Sequence, residues 1–120
     1  MIGYPKPKSK KKSRVQVWNR IRANVLKPMF EEKEIFYCEV TKYEFEQGNI
    51  TEKEAQKRNF NLSFHHRHKR DWYKQFDNEQ ELLGDFNQVL LLGQYYHNKL
   101  EYDAELTKKY FELLRGSETI

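Results

Sequence analysis

A single cysteine, Cys38, stands among the 120 residues. That excludes an internal disulfide framework and any zinc site built from several thiolates, and it fits a reducing compartment. Long apolar runs are missing as well. The longest is Val89-Leu90-Leu91-Leu92, far short of the ~20 residues a membrane-spanning helix needs, so no membrane association is expected. The basic N-terminus is not followed by an apolar segment of signal-peptide type, and the expected location is the cytoplasm. Acidic residues are absent from residues 1–22, which carry eight Lys or Arg. Residues 23–120 hold fourteen bases against eighteen acids, so the net charge of +4 divides into +8 in the head and −4 in the remainder. A basic head of this kind suits a polyanionic partner or, equally, a solvated leader.

What is present is polar but rich in aromatic residues. Hydrophobic residues make up 38%, charged residues 33% and aromatic residues 15%. The aromatic share is too high for a disordered chain, and the length suits one domain with a small core of Tyr and Phe. Pro5, Pro7 and the run Lys10-Lys11-Lys12 disfavour a helix, so residues 1–14 are expected to form a flexible basic arm. Residues 15–120 then form the single domain.

Within that domain, Val15, Val17, Trp18, Ile21, Val25 and Leu26 recur at helical spacing, and Pro28 is expected to close the helix. Glu34–Thr41 is dense in β-formers and reads as a short strand or turn-strand. Gly48-Asn49 marks a turn. Thr51 and Glu54 form a capping-box pattern that opens a polar helix to about Arg58. Asn61–His66 alternates and reads as a strand, with Leu62, Phe64 and His66 on one face and Ser63 and His65 on the other. Asn78 with Glu81 begins a helix bearing Leu82, Leu83 and Phe86. Val89–Leu92 reads as a second strand ended by Gly93. Residues 94–115 read as helical with a break near Asp103. Together these elements give an α+β class.

Three of the four histidines, His65, His66 and His68, lie among Arg67, Lys69 and Arg70. Protonated imidazoles there would add to the repulsion. The cluster makes chemical sense if a metal keeps the rings neutral or if a phosphate lies close. His97 and Glu101 are four residues apart, which on a helix places them on one face about 6 Å apart. Such a pair can share a divalent ion or form an ordinary surface hydrogen bond.

The order His65-His66, Asn87, His97 resembles the HNH, or ββα-metal, nuclease motif. Phe36–Thr41 is similar to the family's entry strand. Asn87–Lys99 (NQVLLLGQYYHNK) resembles its N…L-C-x-x-C-H-x-K segment. The likeness spans about residues 36–103 and is close to the small HNH proteins of phages and bacteria. Four positions matching the family's usual zinc cysteines are Cys38, Thr41, Gly93 and Tyr96, so the resemblance implies an HNH-like core without the structural zinc, held by packing. It further implies His66 as general base, Asn87 as the residue that ties down the loop and helps orient that base, and His65 and His97 as metal ligands with Glu101 as a third. The cofactor would be one divalent ion: Mg²⁺, Mn²⁺, or Zn²⁺ or Ni²⁺ in vitro. A His base serves because phosphodiester hydrolysis needs a proton acceptor near neutrality, and the cation stabilises the pentavalent phosphorus. The implied partner is duplex or branched DNA, gripped by Lys10, Lys11, Lys12, Arg14, Arg67, Lys69 and Arg70. The implied activity is that of an endonuclease or nickase. The alternative is an HNH-derived factor that binds nucleic acid, or a host or phage protein, without cutting.

Overall fold

Strand β2 (Val89–Leu92) is buried along its whole length, and the described chain is arranged on its two faces. The computed structural model describes residues 13–118. In chain order, α1 (Arg14–Ile21) runs through a π-helical turn (Arg22–Leu26) into α2 (Lys27–Glu32). Helices α3 (Glu39–Glu46) and α4 (Glu52–Arg58) follow, then β1 (Ser63–His66), a 3₁₀ segment (Arg70–Gln75) and α5 (Glu79–Leu83). A second 3₁₀ turn (Phe86–Gln88) leads into β2, and helices α6 (Gln94–Glu101) and α7 (Ala104–Arg115) complete an α+β fold. The two strands pair antiparallel, with Ser63 opposite Leu92, Phe64 opposite Leu91, His65 opposite Leu90 and His66 opposite Val89.

The period of two along β2 sorts its side chains between two cores. Val89 and Leu91 pack with Ile21, Leu26, Phe30, Tyr73, Leu82 and Leu83. Leu90 and Leu92 pack with Cys38, Val40, Tyr96, Leu100, Tyr110 and Phe111. A sheet covered on both sides explains why β2 reads as an unbroken apolar run rather than an alternating one. Each such side chain contributes ~1.5–3 kcal/mol on burial.

The structure departs from the sequence expectations at several places. Helix α5 ends at Leu83, so Phe86 lies in the second 3₁₀ turn, and Arg14 begins α1 rather than ending the arm. Two further segments differ. Glu34–Thr41 is not a strand. The backbone turns at Glu34, which has φ of 60°, and Cys38 is the extended N-cap of α3. Cys38 and Val40 are wholly buried and Thr41 almost so, so tertiary burial overrides their β preference. Nor does Pro28 close the first helix. The Lys27 amide reaches back five residues to the Arg22 carbonyl. The widened turn lets the helix continue past a residue that cannot donate.

Helix α4 has the full capping box. The Thr51 amide donates to Glu54 Oε1 at 2.9 Å, and the Glu54 amide donates to Thr51 Oγ1 at 3.1 Å. Gly93 lets α6 start against the turn after α4, because a Cβ there would lie 2.0 Å from the Arg58 carbonyl oxygen. The same turn receives the Gln94 amide on the Phe60 carbonyl at 2.9 Å, and Arg58 Nη1 donates to the Tyr96 hydroxyl at 2.8 Å. Cys38 and Tyr96 are buried among aromatic and aliphatic side chains of the second core, and Thr41 is buried as well.

Among the described residues, the outer edge of β2 has no third strand. Its Leu91 amide donates to Glu39 Oε2 at 2.9 Å, and its Val89 carbonyl accepts from Arg115 Nη2 at 2.9 Å. Glu39 and Arg115 are themselves joined by two 2.8 Å bonds, with side chains 7% and 5% exposed. Arg115 also donates to the Phe86 carbonyl at 2.9 Å, and its guanidinium lies 3.7 Å from the Phe86 ring centroid. Truncating either partner leaves a buried charge alone, so Glu39→Ala or Arg115→Ala should each cost about 3–5 kcal/mol in urea unfolding. A loss below about 1 kcal/mol would show that water satisfies the edge in place of the pair.

Candidate functional site

The register of β1 places Ser63 and His65 on the face that meets α6. There the ring of His65 lies 4.8 Å from that of His97, centroid to centroid. His97 and Glu101, one turn apart on α6, share that face, and His97 Nε2 is 3.8 Å from Glu101 Oε1. One ligand atom from each of His65, His97 and Glu101 falls within 4.8 Å of the others. His97 Nδ1 is 3.1 Å from Ser63 Oγ. With the proton on Nδ1 donated to that hydroxyl, Nε2 presents its lone pair toward Glu101, the tautomer that metal ligation requires. Two imidazoles and a carboxylate converging on one space are a suitable donor set for a divalent ion.

Burial, with the neighbouring His97 ring, lowers the His65 pKa to about 4, and burial lowers that of His97 also. Both rings are therefore neutral at pH 7, as ligands must be. Glu101 is held below the ordinary carboxylate range by its hydrogen bond from Lys69.

His66 points to the opposite face, as strand alternation requires. Its ring meets Trp18 and Tyr73 edge-on, at 5.0 and 5.6 Å between centroids. Its Nε2–H donates to the Leu83 carbonyl at 2.9 Å, which leaves the lone pair on Nδ1. Burial lowers its pKa to about 4. The strand ends at His66, so despite the opposed directions both His65 and His66 border one open cleft of about 990 Å³, together with His97, Glu101, Lys69 and Arg70.

The remaining candidates divide sharply. Asn87 ties the loop down: its amide donates to Asp85 Oδ1 at 2.9 Å and its Nδ2 to the Arg115 carbonyl at 3.3 Å. The group on His66 is the Leu83 carbonyl instead. Arg67 departs from the expected phosphate role, since it donates to the carbonyls of Asn87 and Gly116. Arg14 opens α1 and pairs with Glu79 and Asp71. Lys69 Nζ binds Glu101. Arg70 has no hydrogen-bonded or ion-paired acceptor among the described residues and lies over the Trp18 ring at 4.8 Å. His68 stacks on Trp72 at 3.6 Å and bonds Glu118 Oε2 at 2.6 Å. Lys10, Lys11 and Lys12 lie outside the described residues. The parts sequence reasoning missed are the Leu83 carbonyl, Ser63 and the internal partners of Arg67 and Arg14. Only Ser63, two residues before His65 on the same strand face, left any signal.

The buried histidines also set an acid limit on stability. His66 has a folded pKa of about 4 against an unfolded value of ~6.5, so between those values the unfolded chain binds more protons. Stability should be flat above about pH 7.5 and fall as pH drops from ~6.5 toward 4. Denaturant midpoints measured over pH 4–8 check this, and His66→Gln should weaken the slope. An unchanged midpoint down to pH 4.5 would contradict the burial effect.

Among the described residues no helix is long and apolar enough to cross a membrane. Comparison with protein-family models, curated proteins and solved structures gives no match to this chain.

Proposed function

We propose that this chain is a divalent-metal-dependent nuclease of the ββα-metal (HNH-like) type that hydrolyses DNA phosphodiester bonds. The observation that carries the proposal is the convergence of His65, His97 and Glu101 across β1 and α6, beside a neutral and oriented His66. The succession of two antiparallel strands and a helix, with His65 on the first strand and His97 on the helix, supports the same reading. When bound, a divalent ion would supply Lewis-acid stabilisation of the phosphoryl and leaving oxygens.

In this reading His65, His97 and Glu101 hold the ion, and Ser63 fixes the His97 tautomer. Leu83 fixes the His66 ring, so that Nδ1 accepts a proton from the attacking water. Arg70, with no acceptor of its own among the described residues, is placed to receive the phosphate. The alternative, a binding factor without catalysis, predicts nucleic-acid affinity without turnover.

Nicking of supercoiled plasmid across a series of divalent ions tests the assignment. His66→Ala should keep the metal and slow cleavage ~10²–10⁴-fold, the usual span of base catalysis. His97→Ala should instead weaken metal affinity, with partial rescue by excess Mn²⁺. Cleavage by His66→Ala at the wild-type rate would move the base elsewhere. A wild type that binds DNA but cuts it with no ion would establish the binding factor.

The basic head has a separate signature. Replacing Lys10, Lys11 and Lys12 by Gln should weaken duplex binding and flatten its salt slope by about 0.9 for each phosphate no longer neutralised. Fluorescence anisotropy at several salt concentrations reads that slope, and an identical slope would remove these lysines from the interface.

A further inference from the structure

We infer that Lys69 is a tethered counter-ion for Glu101 that competes with the divalent ion and links ion binding to phosphate binding. The inference rests on the metal-site reading above and assigns Lys69 a role that a plain phosphate contact does not have.

Lys69 follows β1 closely and precedes the 3₁₀ segment at Arg70, so its backbone is carried by the strand that bears His65. Its ammonium lies 3.1 Å from Glu101 Oε2 and 3.1 Å from the Glu101 carbonyl oxygen. That carbonyl belongs to the last residue of α6, where the helix has run out of intrahelical donors and its dipole favours a cation. The two oxygens of the Glu101 carboxylate are thus divided. Oε1 lies toward His97 Nε2, and Oε2 holds Lys69.

The division has an electrostatic consequence. Without a divalent ion, Lys69 neutralises the one anionic ligand of the cluster. A doubly charged cation among His65, His97 and Glu101 would stand next to that ammonium and repel it. The Lys69 side chain is 69% exposed and that of Glu101 38%, so the exchange needs no core movement. Lys69 also lines the cleft. Once driven from the carboxylate it remains on the cleft wall, where a phosphate is its natural partner. Ion binding then adds a free ammonium to the cleft, and by linkage a bound phosphate strengthens ion binding by the same factor.

Calorimetric titration of the full-length chain with Mn²⁺ alone, and again with a saturating phosphorothioate duplex, tests this. Lys69→Met should bind Mn²⁺ about twofold to fivefold more tightly than wild type without DNA, the range an exposed ion pair commands. The tightening caused by the duplex should also be smaller in Lys69→Met. Lys69→Arg keeps the charge and should bind Mn²⁺ no more tightly than wild type. Lys108→Met, at a cleft lysine that makes no bond to Glu101, should leave Mn²⁺ affinity unchanged. Thermal melts matching wild type establish that each variant folds. If wild type binds Mn²⁺ and Lys69→Met binds it equally or more weakly, the competition is wrong and the metal site stands. If neither binds Mn²⁺, the metal site itself falls.

Discussion

A two-stranded sheet is a poor foundation, because each strand has one edge without a partner and a buried unpaired amide or carbonyl is costly. Here the buried Glu39–Arg115 pair takes the place of a third strand along β2. Desolvating two ions costs several kcal/mol each, and their attraction alone does not reliably offset that. What offsets it is the extensive use of their hydrogen-bonding capacity. Glu39 accepts from Leu91 and from Arg115, and Arg115 donates to Glu39, Val89 and Phe86. The pair joins the start of α3, the edge of β2 and the end of α7. With β2 fixed in this way, the register of β1 follows, and with it the positions of both histidines.

Strand alternation then imposes a division on the site. His65 and His66 are adjacent, so one faces α6 and the other faces α1 and the 3₁₀ segment. Each direction meets what its proposed role would require. On the α6 side, His65 finds a second imidazole and a carboxylate. On the other side, His66 finds Trp18, Tyr73 and the Leu83 carbonyl, a setting that keeps the ring neutral and its tautomer fixed. Because β1 stops at His66, the two sides meet at one cleft instead of being separated by continuing sheet.

Much of the fold was legible where the signal is local. The Thr51–Glu54 box, the Asn78–Glu81 start, the apolar run at Val89–Leu92 and the break near Asp103 each correspond to an element in the structure. Glu34–Thr41 misled because Ile35, Phe36 and Tyr37 lie in the connection before α3, while Val40 and Thr41 serve burial within it. Pro28 misled because a π-turn absorbs the missing donor. The His97–Glu101 proximity follows from spacing alone, but its meeting with His65 is tertiary. Glu39 and Arg115 lie 76 positions apart, and nothing local marks either as a partner. The Leu83 carbonyl carries no side-chain signal at all. Arg67 and Arg14 looked like phosphate ligands because sequence shows charge but not the carbonyls and carboxylates that occupy it.

The internal partners of these cations also govern how the proposed hydrolysis balances its charges. A cleft for phosphate wants cations, yet every cation near His66 makes its imidazolium harder to form. Arg70 already lowers the His66 pKa in addition to burial. A base at about 4 is fully unprotonated at neutral pH but a weak acceptor, since base catalysis is best served by a pKa near the working pH. Internal pairing eases the conflict. Arg14 lies on Glu79 and, before the ion binds, Lys69 on Glu101, so the charge of these two cations is partly offset. An incoming phosphodiester would bring a negative charge into the cleft that Arg70 and His66 border. In the proposed reaction that charge would counter Arg70 and favour the imidazolium as the proton is taken. Basicity would then be conferred by the substrate, and a water molecule arriving without it would meet only a weak base.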